Sequence, residues 1–404
     1  MFGHLEPGFW RIFRRELRQI KKRPRLAFML LPYPLLLFAL LCSIFYEGLP
    51  TALPVAIVDQ DDSNVSRQIS RMVDETPELE IVARLSNLTE AKRAISKGQV
   101  YGVVLIPNHT ERDLLSGQRP EIVTFYNNQV LTIGGIVSRA ANAAVGAFSV
   151  GVSIQVRKSK GQIAYEAMAA KNTIPLQRSP LFNPALDYTQ FLLSAVMPAV
   201  LQIFICASAV MAFARDRHSK GNMSRLVRLG QTPIKSMLGK LAPYALAYLT
   251  TLLLADSILF VFFEIPFKGS LLLHLGYTVL FVFSCLSLGT FLALLAKDTL
   301  GSLGLVGILT APAFAFAGIS FPRMMMNDFS FVWGGAIPLT PYLQLRTDQV
   351  VRGAETWVSL PTLGWLLLLL CLFLECHYCY LPNKLKQRMY PIQVLWREIY
   401  ERLD

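Results

Sequence analysis

Six long apolar stretches constrain this 404-residue chain more than any other feature of its sequence. A helix needs about 20 mostly apolar residues to cross the roughly 30 Å hydrocarbon core of a bilayer. The composition agrees with a membrane-spanning protein, because 53% of the residues are hydrophobic and 16% are charged. In soluble domains, about 25% of the residues are charged. We therefore predict an α-helical integral membrane protein with six transmembrane helices, at about 26–46, 191–213, 241–263, 271–295, 300–320 and 358–380.

Basic residues are concentrated in alternate segments between these stretches. The N-terminal segment, the segments between the second and third and the fourth and fifth stretches, and the C-terminal segment together carry 21 Lys and Arg but 7 Asp and Glu. The long segment 47–190 carries 14 bases and 14 acids. Because Lys and Arg are enriched in cytoplasmic loops, the charges predict that both termini and the tail 384–404 are cytoplasmic and that 47–190 is extracytoplasmic.

The first apolar stretch follows a basic segment, which is also typical of a signal peptide. Its length, together with Pro32 and Pro34, favours a retained membrane anchor instead. Residues 1–25 before it read as an amphipathic helix that lies in the membrane interface, with bases opposite an apolar face. The residues of that apolar face recur at helical spacing: Trp10, Phe13, Leu17 and Ile20.

The segment 47–190 alternates short β-branched runs with helical patterns, which predicts an α/β (α+β) domain inserted between the first and second transmembrane helices. Strands are predicted at 54–58, 79–82, 100–106 and 121–125. A long apolar-striped helix follows at about 130–156. We do not count it as a transmembrane helix, because an extra crossing would reverse every later loop and break the charge pattern. We expect it to pack along the sheet or against a second copy of the protein.

Few residue patterns in the sequence point to catalysis. Cys376 and Cys379 form a single C-x-x-C pair, whereas structural zinc sites usually take four ligands, so packing is the favoured role and no metal site is predicted. The segment 230–236 lacks the second glycine of a phosphate-binding loop. We predict that the chain is not an enzyme by itself, binds no cofactor directly and does not bind nucleic acid.

Three features together resemble the membrane subunit of ABC-2 type exporters, which have the type V fold. The first is the layout of an interfacial helix, one span, a large external insert and five further spans. The second is the segment 225–244, RLVRLGQTPIKSMLGKLAPY. The third is the stretch after the fifth span, where residues 337–342 read IPLTPY. Residues 181–188, LFNPALDY, are similar to the branch with a large external domain and with adaptor and ATPase partners.

The resemblance implies a bacterial inner-membrane permease that works with a separate ATP-binding subunit, which would carry the ATP and Mg²⁺. It also implies a second permease copy or a related permease, and it leaves room for a periplasmic adaptor. Residues 1–25 correspond to the family's elbow helix, and 225–240 correspond to its coupling helix, which contacts the ATPase. Thr232 and Pro233 are suited to begin such a short helix. The coupling residues implied are Arg225, Arg228, Thr232, Pro233, Lys235, Met237, Leu238 and Lys240. For the arginines, contact with lipid phosphates is an equally good reading.

The resemblance further implies an external re-entrant region at 321–357. Its candidate residues are Pro322, Pro338, Thr340, Tyr342 and Arg346. From the architecture, a translocation path between spans two and five of two copies is expected. Its candidate residues are Phe191, Phe204, Asp256, Phe314 and Phe316. Asp256 is either a functional group in the membrane or a neutral side chain hydrogen-bonded to a neighbouring Ser or Thr.

Two further features concern span five. Gly301, Gly304 and Gly307 recur every three residues and suggest close contact between helices, and Pro312 is expected to kink the helix.

The function predicted is export of a hydrophobic or amphipathic, drug-like or lipid-like substrate. An ion-gradient-driven secondary transporter, or a membrane-anchored sensor that uses the external domain, are the alternatives.

Overall fold

The computed structural model describes residues 7–375, apart from 47, 49, 117, 119, 130, 160–181, 184–186, 219–225, 227 and 297. It divides into two units, one made of Glu47–Asp187 and the other of the chain before and after it. Several predicted features lie outside the described residues, namely Arg225, Cys376, Cys379 and the tail 384–404.

Three helices open the first unit: α1 (Phe9–Lys21), α2 (Pro24–Leu30) and α3 (Pro32–Ile44). The predicted first span therefore begins two residues earlier than expected and is interrupted at Leu31, whose φ of −130° is not helical. Pro32 cannot donate an N–H to the preceding turn, which accounts for the break.

The second unit is an α/β fold. Its elements in chain order are β1 (Leu53–Asp59), α4 (Asn64–Asp74), β2 (Leu79–Leu85), α5 (Leu88–Ser96), β3 (Gly102–Ile106), α6 (Thr110–Leu115), β4 (Val123–Tyr126) and α7 (Leu131–Ser159). The sheet has the strand order β2-β1-β3-β4; β1 is parallel to β2 and β3, while β4 is antiparallel to β3. Helices cover both faces of β1, so that strand is buried on both sides, as is usual for parallel strands.

The long helix α7 packs along this sheet. Its buried stripe includes Ile136, Val137 and Phe148, which join the core of β1 and α4. Helix α7 lies close to strand β3 at Gly102, where a Cβ would lie 2.6 Å from the Val137 side chain. The apolar stripe of α7 therefore serves as the cover of the sheet within this unit.

The chain then returns to the helical unit. Span two is a π-helical turn (Thr189–Leu193) followed by α8 (Ser194–His218), and span three is α9 (Pro233–Ser257) followed by a second π-helical turn (Ile258–Phe262). The remaining helices are α10 (Leu271–Leu295), α11 (Thr299–Thr310), α12 (Ala313–Phe316), α13 (Asp328–Gly335), α14 (Leu339–Arg346) with a π-helical turn (Thr347–Arg352), and α15 (Thr356–Glu375).

Two predictions about the helices can be compared with these bounds. Span five is broken where expected, because α11 ends at Thr310 and Pro312 precedes α12. Seven described helices, instead of the predicted six, are long and apolar enough to cross a membrane. The additional one is Thr132–Val152 of α7, the helix that covers the sheet.

Candidate functional site

Residues 233–240 of the predicted coupling segment form the beginning of span three. Thr232 caps the helix by accepting a hydrogen bond from the N–H of Lys235, and Pro233 is the first helical residue. This start agrees with the sequence prediction. The helix is not short, however, because α9 runs on to Ser257. A displacement at Thr232 would thus be carried directly into a membrane helix.

The elbow helix α1 packs against the start of α9. The backbone N–H of Gly8 donates to the carbonyl of Leu229 at 2.7 Å. Farther along, the contact needs a glycine, since a Cβ on Gly239 would lie 2.7 Å from the carbonyl oxygen of Phe9. The face of α1 that meets the protein carries Ile12, Glu16 and Ile20, which are buried.

The opposite face of α1 carries two of the four predicted interfacial residues. Trp10 is 64% exposed and Leu17 is 38% exposed, whereas Phe13 is half-buried. Ile20, which the sequence analysis placed on the same apolar face, lies in the protein core instead. The helix therefore has two apolar faces, one toward the protein and one away from it.

Burial separates the predicted coupling residues into two groups. Met237 is 5% exposed and Lys240 is fully buried, so neither is available to a partner protein, and this corrects their predicted role. The exposed members of the segment are Arg228, Thr232, Lys235 and Leu238, to which the structure adds Ile234.

A buried ionic network holds α1, α8 and α9 together. Lys240 of α9 donates to Glu16 of α1 at 3.0 Å and to Asp216 of α8 at 2.6 Å. Arg15 pairs with Asp216 at 2.7 Å, and Arg215 pairs with Glu16 at 2.9 Å. Three cations thus face two carboxylates. Buried charges of this kind are tolerated when they are paired and hydrogen-bonded.

A second buried cluster lies at the other end of α9. Asp256 accepts from Arg346 at 2.6 Å and bonds to the His274 ring at 2.8 Å. The other ring nitrogen of His274 bonds to the Tyr277 hydroxyl. Arg346 also donates to the Tyr342 hydroxyl at 3.4 Å, and the Tyr342 ring stacks on the Phe281 ring.

The charge on Arg346 is stabilised within this cluster. Burial alone would lower the pKa of Arg346, but the Asp256 carboxylate together with Tyr342 and Tyr277 outweighs burial, and the pKa is raised above its ordinary value. Asp256 therefore has a partner that neither sequence interpretation considered. This pairing contradicts the interpretation of a neutral group bonded to Ser or Thr, whereas a functional role of Asp256 in the membrane stays a prediction.

The predicted re-entrant region folds as short helices that lead to α15. Leu339, the first residue of α14, donates its N–H to the Gln202 side chain of α8 at 3.0 Å. Pro338 and Thr340 beside it are buried, whereas Pro322 is exposed. The Trp365 indole of α15 donates to the carbonyl of Gly335 at 2.8 Å. A largely apolar cavity of about 1030 Å³ lies between this region and α15.

The predicted path residues lie in different surroundings. Phe191, in the π-helical turn before α8, is 45% exposed. Phe204 packs edge-on against Tyr33 with ring centroids 5.4 Å apart. Phe314 and Phe316 lie in α12 and are half-buried. Phe314 packs against the main core.

One residue of these clusters carried a weak signal in the sequence. Glu16 is the one acidic residue within the basic stretch 9–25, and an isolated acid in such a helix indicates a buried pairing role. Asp216, Arg15 and Gln202 have no such signal, because their partners are far away in sequence.

Known proteins match this chain over most of its length. A family model described as "ABC-2 family transporter protein" matches residues 25–374. The inner membrane transport permease YhhJ of Escherichia coli strain K12 is 24% identical over 319 residues, which are 76% of this chain and 79% of the relative. The probable multidrug ABC transporter permeases YbhR and YbhS of the same organism are each 22% identical; the matches cover 78% of this chain in both cases, 81% of YbhR and 78% of YbhS.

Proposed function

The chain belongs to the ABC-2 family of transporter proteins, and we propose from this that it is the permease of an exporter driven by ATP. The substrate would be hydrophobic or amphipathic, and a separate subunit would bind and hydrolyse the ATP with Mg²⁺. The observation that carries the proposal is the exposed start of α9, which is fixed to the elbow helix by a buried ionic network.

The proposed topology has six crossings, with the α/β unit outside the inner membrane. The positive-inside pattern supports it, as does the packing of α7 on its own sheet. If α7 crossed the membrane, its stripe would have to leave the strands that it covers. A periplasmic adaptor, where one is present, would meet this unit.

The proposed coupling surface consists of the exposed residues Arg228, Thr232, Ile234, Lys235 and Leu238. It combines apolar and cationic groups on one short stretch, as partner-binding surfaces commonly do. Force applied there would move α9 and α1 as one body, because Lys240 joins both through Glu16. The ATPase would in this way displace a membrane helix.

The proposal also includes a second copy, or a related permease, against span five. Among the described residues, no atom lies within 4 Å of a Cβ added to Gly304 or Gly307, so the described part of the chain does not make the close contact expected from their spacing. Small residues at such positions allow helices to approach closely in a membrane. A partner helix from another permease copy would provide that contact.

Co-purification tests the proposed function. The tagged chain would be isolated from the membranes of its own host, and ATP-binding proteins in the sample would be identified by mass spectrometry. Arg228→Glu with Lys235→Glu is expected to remove the ATP-binding subunit while leaving membrane insertion intact. Arg14→Glu with Arg18→Glu, an equal charge reversal on the exposed side of α1, is expected to retain it.

Three outcomes would overturn the proposal. The first is that wild-type protein carries no ATP-binding subunit. The second is that both double variants lose the ATP-binding subunit equally, which would mean that the total positive charge of the protein, and not the coupling surface, determines its binding. The third is that the purified chain moves substrate down an ion gradient without ATP.

A further inference from the structure

A cavity of about 770 Å³ opens between the junction of α1 and α2, the end of α8 and the start of α11. One part of its wall is basic and another part is apolar. Four of its lining residues are basic, namely Lys22, Arg23, Arg25 and Arg215. Leu26, Met29 and Met211 form an apolar part of the wall. No acidic residue lines the cavity in the part of the chain that the structure describes.

Three of the four basic groups of the cavity have no carboxylate partner among the residues that the structure describes. Among the described residues, no carboxylate lies within salt-bridge distance of Lys22, Arg23 or Arg25. Arg215 pairs with Glu16 through one terminal nitrogen, but its buried Nε–H finds no acceptor among the described residues. The network behind it already has more cations than carboxylates. The cavity is thus suited to an anion.

We propose that this cavity binds the phosphate headgroup of an anionic phospholipid, with an acyl chain lying along Leu26, Met29 and Met211. The cavity lies where α2 and α11 begin and α8 ends, which is the headgroup level of a bilayer. Basic pockets between membrane helices on the cytoplasmic side are suited to acidic headgroups. The orientation in the proposed function would place this lipid in the inner leaflet. The assignment of an anionic headgroup does not depend on that orientation.

Native mass spectrometry of the full chain in neutral detergent tests the site. Phosphatidylglycerol and phosphatidylcholine with identical acyl chains would be titrated separately, because only the first carries net charge. The wild-type protein is expected to bind one phosphatidylglycerol at least about tenfold more tightly than phosphatidylcholine. Lys22→Gln with Arg23→Gln and Arg25→Gln is expected to remove this preference.

The matched control changes the same residue types on the preceding helix α1. Arg14→Gln with Arg18→Gln and Lys21→Gln removes two Arg and one Lys that are exposed and do not line the cavity. This variant is expected to keep the preference for phosphatidylglycerol. Both triple variants lower the charge before the first span equally, so a change in membrane orientation cannot separate them.

The outcomes separate a phospholipid headgroup bound in this cavity from general attraction by positive charge and from binding of a soluble anion. Loss of the preference in both triple variants, or in neither, would overturn the site. Displacement of phosphatidylglycerol by millimolar inorganic phosphate would show that the cavity takes a soluble anion and would overturn the lipid assignment. Lipid binding needs no ATPase, so these results stand apart from the co-purification test of the proposed function.

Discussion

Arg346 and Asp256 form an ion pair, with a guanidinium nitrogen 2.6 Å from a carboxylate oxygen. Both side chains are buried. The pair joins the segment before the last membrane helix to the end of α9, and His274 binds the second carboxylate oxygen. Removing one partner of a buried ion pair leaves an uncompensated charge, whereas replacing both partners with apolar residues is often neutral.

Asp256→Asn is therefore expected to lower the free energy of unfolding by about 3–5 kcal/mol, because Arg346 would remain buried without its anion. Asp256→Leu combined with Arg346→Met should recover most of that loss. Ser257→Ala, at the exposed neighbouring position, should change stability by less than about 0.5 kcal/mol. Thermal unfolding in detergent would measure all three; equal losses in the single and double variants would contradict a role for the pair itself.

Lys240 and Lys235 are expected to behave differently although both belong to the predicted coupling segment. Lys240→Met should destabilise the protein by about 3–5 kcal/mol, since it breaks the bridge between Glu16 and Asp216. Lys235→Met should change stability by less than about 0.5 kcal/mol, because Lys235 is exposed. Unfolding and transport should be measured on the same samples. If Lys240→Met lost transport at unchanged stability, the network would not have the structural role assigned to it.

Local sequence patterns predicted much of this protein. The strands begin and end close to the predicted positions, as for β1 at Leu53–Asp59, because a buried strand is a short β-branched run between turn residues. Thr232 and Pro233 marked the start of α9, since capping chemistry is also local. These features depend on residues within a few positions of each other.

The sequence did not reveal which charged residues are structural. Lys240 looked like any other base of its segment, but its partner Glu16 is 224 positions away. Asp256 offered two interpretations, neither of which included an ion pair, because Arg346 lies 90 positions away in a segment read as a separate re-entrant region. Pairings of this kind depend on how the helices pack, which helical periodicity within a single segment does not specify.

Gly304→Leu should weaken association of two permease copies. Gly304 is exposed, and no atom of the described residues lies within 4 Å of a Cβ added to it, so a leucine fits the described part of the chain and would clash with a partner helix. Gly276→Leu on α10 is the matched control, because Gly276 is also exposed and has equally open space. Native mass spectrometry of the detergent-solubilised protein should show fewer dimers for Gly304→Leu alone. An unchanged dimer fraction would remove span five from the interface.

Cysteine labelling tests the orientation of the α/β unit and the placement of α7 together. A membrane-impermeant maleimide should label Asn142→Cys in cells with a permeabilised outer membrane, because Asn142 lies on the exposed face of α7 and the positive-inside pattern places this unit outside. Lys235→Cys, at the opposite, basic side, should react only after the inner membrane is broken, and Gly304→Cys should react poorly in both states because it would face lipid or a partner helix. The wild-type chain, whose described cysteines all lie in membrane helices, gives the background. No labelling at Asn142→Cys would place α7 in the bilayer, and labelling of Lys235→Cys in unbroken cells would reverse the orientation on which the proposed contact with an ATPase depends.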